Sequence, residues 1–342
     1  MPLREHIRLA VDGIHLSRAQ AAAAMDAMLD GSAPVSQMAA LLVALRMKGE
    51  TPDEIAGAAQ ALRSRATRVE VSQDRLIDTC GTGGDASHTF NISTTSAFVA
   101  AAGGARVAKH GNRAVSSRCG SADVLTALGV EVELPPAAVA ACIDECGIGF
   151  LFAPRHHAAM RHVAPVRKEL GLRTLFNLLG PLANPAGARR QLLGVYAPQL
   201  VPVLAKTLAE LGCDRAFVVH GYGGLDEIST AGPTVVCEVR SGVVRQFELS
   251  PEDAGVQRAP LEGLRGGDAQ QNAETLRAVL RGENGPQRAA TLLNGGAALA
   301  AAGVCETIAD GVRLAERAID SGAALDRLER LVQASQARKA AP

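Results

Sequence analysis

The chain is 342 residues long and carries 35 basic and 35 acidic residues, so it has no formal net charge. At about 100–200 residues per domain, that length suits one large domain and one small one. Balanced charge lacks the basic stripe expected of a nucleic-acid binder, and none is expected as a partner. The hydrophobic share of 47%, rich in Ala and without Trp, allows a sizeable core packed through small side chains.

Cys80, Cys119, Cys142, Cys146, Cys213, Cys237 and Cys305 are scattered and form no CxxC pair, which argues against a disulfide framework and against structural zinc. Cys142 and Cys146 read as small apolar residues on a buried helix face. Arg4, Glu5, His6 and Arg8 stand where a signal peptide needs an apolar core. The uncharged runs 86–105 and 289–305 are broken by polar residues and glycine, unlike a membrane span of roughly 20 mainly apolar residues. A cytoplasmic protein with no membrane partner is expected.

Residues 1–70 read as helices only. Ser17 with Gln20 makes a capping box; Thr51, Pro52 and Glu54 make a second helix start. Gly31 stops the helix between them. The run 35–47 is apolar on more than one face, so it needs cover on several sides. A domain this small leaves part of it bare, which suggests a homodimer through these helices. From residue 75 the pattern changes to alternating strands and helices. Strands are expected at 76–78, 105–109, 130–133, 148–152, 192–196 and 216–220, with helices at 94–102, 121–128, 136–146 and 202–211. That alternation implies an α/β fold with a mostly parallel central sheet. A late hairpin is expected at 235–247, turning at 240–242, and a helical tail from 268. The domain boundaries drawn are 1–70, completed by a helical segment near 156–185, and 71–342.

Four segments carry chemistry. Asp78-Thr79-Cys80-Gly81-Thr82-Gly83-Gly84-Asp85 follows the first strand, where open α/β sheets bind ligands. Its glycines let backbone N–H groups approach a phosphate. The segment is neither a dinucleotide fingerprint, for 100–108 lacks the ribose-binding acid, nor a P-loop, for no Gly-Lys pair occurs. Asn91-Ile92-Ser93-Thr94 opens a helix, whose free N–H groups suit anions. Lys109-His110-Gly111-Asn112-Arg113, followed by Ala114 to Ser117, leaves the next strand with positive charge, amide and hydroxyls; His110 alone is no evidence for a general base. Asp226-Glu227, on a glycine-rich loop after the strand ending at His220, offers paired hard oxygens for Mg²⁺ shared with a pyrophosphate. A basic cluster, including Arg155, His156, His157, Arg161, Arg167 and Arg173, reads mainly as a solvated helix face. One arginine there could clamp a carboxylate with two parallel bonds.

These motifs in this order resemble the anthranilate phosphoribosyltransferase family. The similarity runs through GTGGD at 81–85, NIST at 91–94, KHGNRAVSS at 109–117, GSAD at 120–123, the stretch 163–185 and HGYGGLDEIS at 220–229. The resemblance implies a small helical domain hinged to a larger α/β domain, with the active site between them. It implies transfer of phosphoribose from phosphoribosyl pyrophosphate to anthranilate in tryptophan biosynthesis. Phosphoribosyl pyrophosphate would be held by Gly81, Gly84, Asp85, Thr89, Asn91, Ile92, Ser93, Thr94, Lys109, His110, Gly111, Asn112, Arg113, Ala114, Val115, Ser116, Ser117 and Ser121. Anthranilate would meet Gly81, Asn112 and Arg167. Mg²⁺ would sit on Ser93, Asp226 and Glu227, and Lys109 and Asn112 would be the catalytic residues. Arg118 and Cys119 depart from the family's usual Lys and Ser, and Ala158 from a common Pro. Two rivals remain: a pyrimidine nucleoside phosphorylase, which uses phosphate and needs no Asp226-Glu227 pair, and a nucleic-acid-binding relative, which needs a basic groove.

Overall fold

The computed structural model describes residues 3–85, 87–114 and 118–339. Four helices open the chain: α1 (Leu3–Val11), α2 (Arg18–Leu29), α3 (Val35–Lys48) and α4 (Pro52–Ser64). Strands β1 (Leu76–Gly81) and β2 (Arg106–Gly111) flank α5 (Ile92–Ala102). Helices α6 (Ser121–Ala127) and α7 (Pro136–Cys146) lead to β3 (Ile148–Phe152). Three short helices follow: α8 (Ala153–His156), α9 (Ala164–Leu170) and α10 (Phe176–Leu182). Next come β4 (Arg190–Gly194), α11 (Leu200–Glu210), β5 (Arg215–His220), β6 (Thr234–Arg240) and β7 (Val243–Leu249). The tail is α12 (Ala269–Leu280), α13 (Pro286–Ala301), α14 (Ile308–Asp320) and α15 (Ala323–Ala337).

Local chemistry sets the helix starts. Ser17 Oγ accepts from the Gln20 N–H while Gln20 Oε1 accepts from the Ser17 N–H, and Thr51 with Glu54 repeats the exchange. Glu54 is fully buried but satisfied: its carboxylate also takes the Leu16 N–H at 2.8 Å and Lys48 Nζ at 2.9 Å. Helix α3 buries Met38, Leu41, Leu42, Ala44 and Leu45, packing against α1 and α9. The middle of the apolar run is therefore covered within one chain. Val35 and Met47 at its ends stay exposed.

The seven strands form one sheet in the order β3-β2-β1-β4-β5-β6-β7. Neighbours are parallel from β3 through β5, and β6 and β7 are antiparallel. Ser241 and Gly242 make the hairpin turn with φ of 49° and 81°, the left-handed pair that a two-residue loop requires. The segment 130–133 joins no strand, contrary to expectation. Its backbone donors bond elsewhere than to a strand: the Val130 N–H to Leu125 O at 2.9 Å, the Glu131 N–H to Ser335 Oγ at 3.0 Å and the Glu133 N–H to Glu131 Oε1 at 3.0 Å.

Two cores lie on the sheet. One joins strand residues such as Val107 and Val219 to α5, α7, α13 and α15. The other joins Leu193 and Val218 to α11, α10, α9 and the N-terminal helices. The chain lays β1, β2 and β3 outward in one direction, then returns to place β4 on the other side of β1. Loops leaving β1 and β4 therefore part at their C-terminal ends, which opens the crevice where such sheets take ligands.

Candidate active site

The crevice is built on close backbone contact. Gly81 ends β1 opposite Gly194 of β4. A Cβ at Gly81 would fall on the Asp226 carboxylate, and one at Gly194 on the Asp226 backbone carbonyl. Two glycines thus admit the β5–β6 connection to the β1 exit. Thr82 N–H donates to Gly194 O at 2.8 Å, and the Tyr196 N–H donates to Thr82 Oγ1 at 3.2 Å. Gly83 N–H donates to Asp226 Oδ2 at 2.9 Å. Asp85 Oδ2 accepts the Asp226 N–H at 3.4 Å.

The start of α5 meets the second acid. Ser93 N–H donates to Glu227 Oε1 at 3.1 Å, and Ser93 Oγ accepts from Lys109 Nζ at 3.3 Å. Lys109 also donates to Thr79 O and is only 2% exposed. Thr94 Oγ1 is buried without a partner among the described residues. Asn91 does not cap the helix with its side chain. Its amide instead donates to Cys119 O at 3.3 Å and accepts from Asn272 at 2.9 Å, tying α5 to the start of α6. Thr89 forms an isolated bridge with Arg265.

At the β2 exit, Asp78 is buried and accepts the His110 N–H at 3.1 Å and Asn184 Nδ2 at 2.8 Å. Asn184 also donates to Ala108 O at 2.8 Å, so one amide ties the middles of β1 and β2 together. The sequence reading did not single out Asn184; a lone amide between Ala183 and Pro185 was its signal. Asn112 O accepts from the Ala122 N–H at 3.1 Å and Ser121 Oγ at 3.3 Å. Asp123 Oδ2 accepts the Ala114 N–H at 2.8 Å and the Gly120 N–H at 2.9 Å. Arg113 pairs with Asp123 and Glu133, each at 3.4 Å, and lies 5.5 Å over the Phe152 ring. Val115, Ser116 and Ser117 lie outside the described residues.

Electrostatics divides these groups. Asp226 and Glu227 keep some solvent contact, yet the protein packed around them raises both acids. Asp226 rises to about 7, through burial and then Asp85; Glu227 rises to about 8, through burial and then Asp226. Burial lowers Lys109, while Asp78 and the site's acids pull it back up. His110 is pushed down to about 3 by burial and by His157, so it is neutral at pH 7. The rings of His110 and His157 stand 5.2 Å apart. His156 and His157 are buried, which corrects their reading as part of a solvated face.

The Asp226-Glu227 pair suits a hard divalent cation. Its oxygens face no guanidinium or ammonium at ion-pair distance among the described residues, and burial, then like charge, raises both acids. No three His, Cys, Asp or Glu side chains among the described residues converge as a metal group. A cation here would draw its remaining ligands from hydroxyl, water or substrate oxygens, the habit of Mg²⁺.

The structure brings Gly81, Gly84, Asp85, Ser93, Lys109, Asp226 and Glu227 to the exits of β1 and β5. Asn112, Arg113, Ala114 and Ser121 form a second group at the β2 exit. Arg167 stands on α9, its guanidinium 5.5 Å over the Phe176 ring and without a carboxylate partner among the described residues. Arg173 is committed elsewhere: it donates to Gly84 O and stacks 4.3 Å from the Tyr196 ring. A cavity of about 480 Å³, lined partly by Arg288, Leu292, Val312 and Glu316, shares no residue with either group.

The glycosyl transferase family a/b domain matches residues 73–325, and the helical bundle domain of the glycosyl transferase family matches residues 4–66. The chain is 56% identical over 325 residues to an anthranilate phosphoribosyltransferase of Symbiobacterium thermophilum, covering 95% of each. It is 57% identical over 333 residues to one from Anaeromyxobacter sp. strain K, covering 97% of this chain and 98% of that one. The crystal structure of the Thermus thermophilus anthranilate phosphoribosyltransferase superposes with a TM-score of 0.92 at 48% identity, covering 97% of this chain and 99% of that one. The Saccharomyces cerevisiae enzyme in complex with PRPP and Mg superposes with a TM-score of 0.88 at 29% identity, covering 98% of each chain.

Proposed function

This chain belongs to the anthranilate phosphoribosyltransferase family, and on that premise we infer that it transfers the 5-phosphoribosyl group of phosphoribosyl pyrophosphate to the amine of anthranilate. The products are N-(5-phosphoribosyl)anthranilate and pyrophosphate, a step of tryptophan biosynthesis. One observation carries the assignment to this site: Asp226 and Glu227 reach the Gly83 and Ser93 N–H groups at the exit of β1.

Asp226, Glu227 and Ser93 would hold Mg²⁺, which supplies positive charge against the charge developing on the leaving pyrophosphate. The glycine-loop N–H groups and the start of α5 bind anionic oxygens. Lys109 fixes Ser93 against the Thr79 carbonyl and adds positive charge beneath the site. Asn112 sits at the end of the β2 exit, where its carbonyl is held by Ser121. Arg167 presents its guanidinium to the anthranilate carboxylate. An arylamine is already neutral at pH 7, and neutral His110 adds no charge. Rate enhancement therefore rests on positioning and leaving-group stabilisation.

Loss of anthranilate fluorescence in the presence of Mg²⁺ and phosphoribosyl pyrophosphate tests the reaction. Cleavage of thymidine or uridine by phosphate, with anthranilate untouched, would decide for a nucleoside phosphorylase.

The domain division follows the same reading: residues 1–70 with 156–185 as the smaller domain and 71–342 as the larger. Exposed Val11, Ile14, Val35 and Met47 support a homodimer through the N-terminal helices. Sedimentation showing only monomer at micromolar concentration contradicts that assembly.

A further inference from the structure

We propose that Asn294 is a positioning residue for the cation site. Its clamp on the backbone of Ile228 sets where Asp226 and Glu227 present their oxygens. The inference rests on the metal role given above to those two acids.

Asn294 lies in α13 within a run of Ala, Gly and Leu, and its side chain is fully buried. A buried primary amide in such surroundings must satisfy every donor and acceptor locally. Asn294 Oδ1 accepts the Ile228 N–H at 2.9 Å, and Nδ2 donates to Ile228 O at 3.0 Å. The second Nδ2 hydrogen goes to Ala290 O, one turn back in the same helix, at 2.9 Å. All three bonds require one orientation of the amide, so the clamp is directional.

Ile228 follows Glu227 directly. Its side chain is buried in the core of the larger domain. Both backbone groups of the residue after the acid pair are therefore fixed to α13, while the acids themselves project toward β1 and α5. The same helix also meets α5: Ser96 Oγ donates to Thr291 O at 3.4 Å. Ser96 is one turn beyond Ser93 on α5, and Thr291 one turn before Asn294 on α13. One rigid helix thus sets the spacing between the two parts of the cation site, Ser93 on α5 and the acids after β5. Side chains that orient metal ligands typically change metal affinity or activity by about 10–100-fold when lost.

The test uses the intact protein with Asn294→Asp and Asn294→Leu. Asn294→Asp keeps an acceptor for the Ile228 N–H but sets carboxylate oxygen against two carbonyls. Asn294→Leu keeps the volume and removes all three bonds. Calorimetric titration with Mg²⁺-pyrophosphate is the primary readout, beside circular dichroism, the Mg²⁺ concentration giving half-maximal rate, and the KM for anthranilate. We expect Mg²⁺-pyrophosphate affinity to fall by about 10-fold, and the half-maximal Mg²⁺ concentration to rise alike, with anthranilate KM within about two-fold of the parent. Asn294→Asp decides the matter should Asn294→Leu fail to fold. Parent-like Mg²⁺-pyrophosphate affinity in a folded variant overturns the proposal. So does an equal loss of anthranilate binding, which marks a merely structural residue, and so does failure of both variants to fold. Asp226→Asn/Glu227→Gln separates the premises: if that pair binds Mg²⁺-pyrophosphate like the parent, the metal reading itself has failed.

Discussion

Strands β1 and β2 end side by side, yet their two exits treat charge in opposite ways. Beyond β1, Asp226 and Glu227 accept backbone N–H groups, repel each other, and are compensated in part by Lys109. Beyond β2, Arg113 is matched by Asp123 and Glu133 in a more exposed setting, and Asp123 also holds two loop N–H groups. The second arrangement is complete by itself and fixes the shape of a loop. The first is unfinished, because like charges crowded by protein raise each other's proton affinity unless a cation joins them. A crowded, only partly compensated acid pair is thus a stronger sign of a ligand than a satisfied ion pair.

The sharpest way to break this contrast is to remove the acids. Asp226→Asn/Glu227→Gln should cut turnover by at least about 10²-fold, since a catalytic metal contributes several kcal/mol. Folding should survive, because the change relieves repulsion. Normal turnover with normal Mg²⁺ dependence rules the role out. Arg167 comes next. Arg167→Ala should raise the KM for anthranilate by about 10-fold or more, with that for phosphoribosyl pyrophosphate nearly unchanged, from loss of charge-assisted bonds. Arg167→Lys should recover only part, as an ammonium cannot make the parallel pair. Equal anthranilate kinetics in parent and Arg167→Ala would leave the residue a mere neighbour of Phe176.

A smaller effect is expected from pH. Asp226 and Glu227 hold protons more tightly in the folded protein, at about 7 and about 8, than ordinary carboxylates do. Their contribution to stability is therefore full below the ordinary carboxylate range and is lost as pH rises through those values. In chelator, the parent's Tm should fall more than that of Asp226→Asn/Glu227→Gln between about pH 5 and pH 9. Parallel profiles for the two proteins contradict the raised acids. The smallest effect belongs to the other exit: Arg113→Ala should change folding stability by less than about 1 kcal/mol, because exposed pairs contribute little. A loss of several kcal/mol in chemical denaturation erases the distinction between the exits.

Much of this contrast was legible in the sequence. Glycines at a strand end, a helix start rich in hydroxyls and a paired acid are local patterns, and the structure brings all three together at the β1 exit. Most strand positions followed from apolar runs between turns. The segment 130–133 has the same apolar alternation but no neighbouring strand, and pairing is a property of the sheet, not of the segment. His156 and His157 looked solvated because they sit among arginines; in the fold both are buried, His156 against the Thr67 carbonyl and His157 against Ala183 and the His110 ring. Arg173 and Arg167 could not be told apart by residue type. The structure separates them, since Arg173 is spent on Gly84 and Tyr196. Asn294 was visible as a lone amide in an alanine-rich helix, but its partner Ile228 is 66 residues away.

The most direct test is crystallographic: crystals grown with Mn²⁺ in place of Mg²⁺, together with phosphoribosyl pyrophosphate, and an anomalous difference map. The account predicts a peak bound by the carboxylates of Asp226 and Glu227, beside Ser93 and the pyrophosphate oxygens. A peak at the Arg113–Asp123 exit with none at Asp226 and Glu227, or phosphoribosyl pyrophosphate bound with no metal touching either acid, would contradict it.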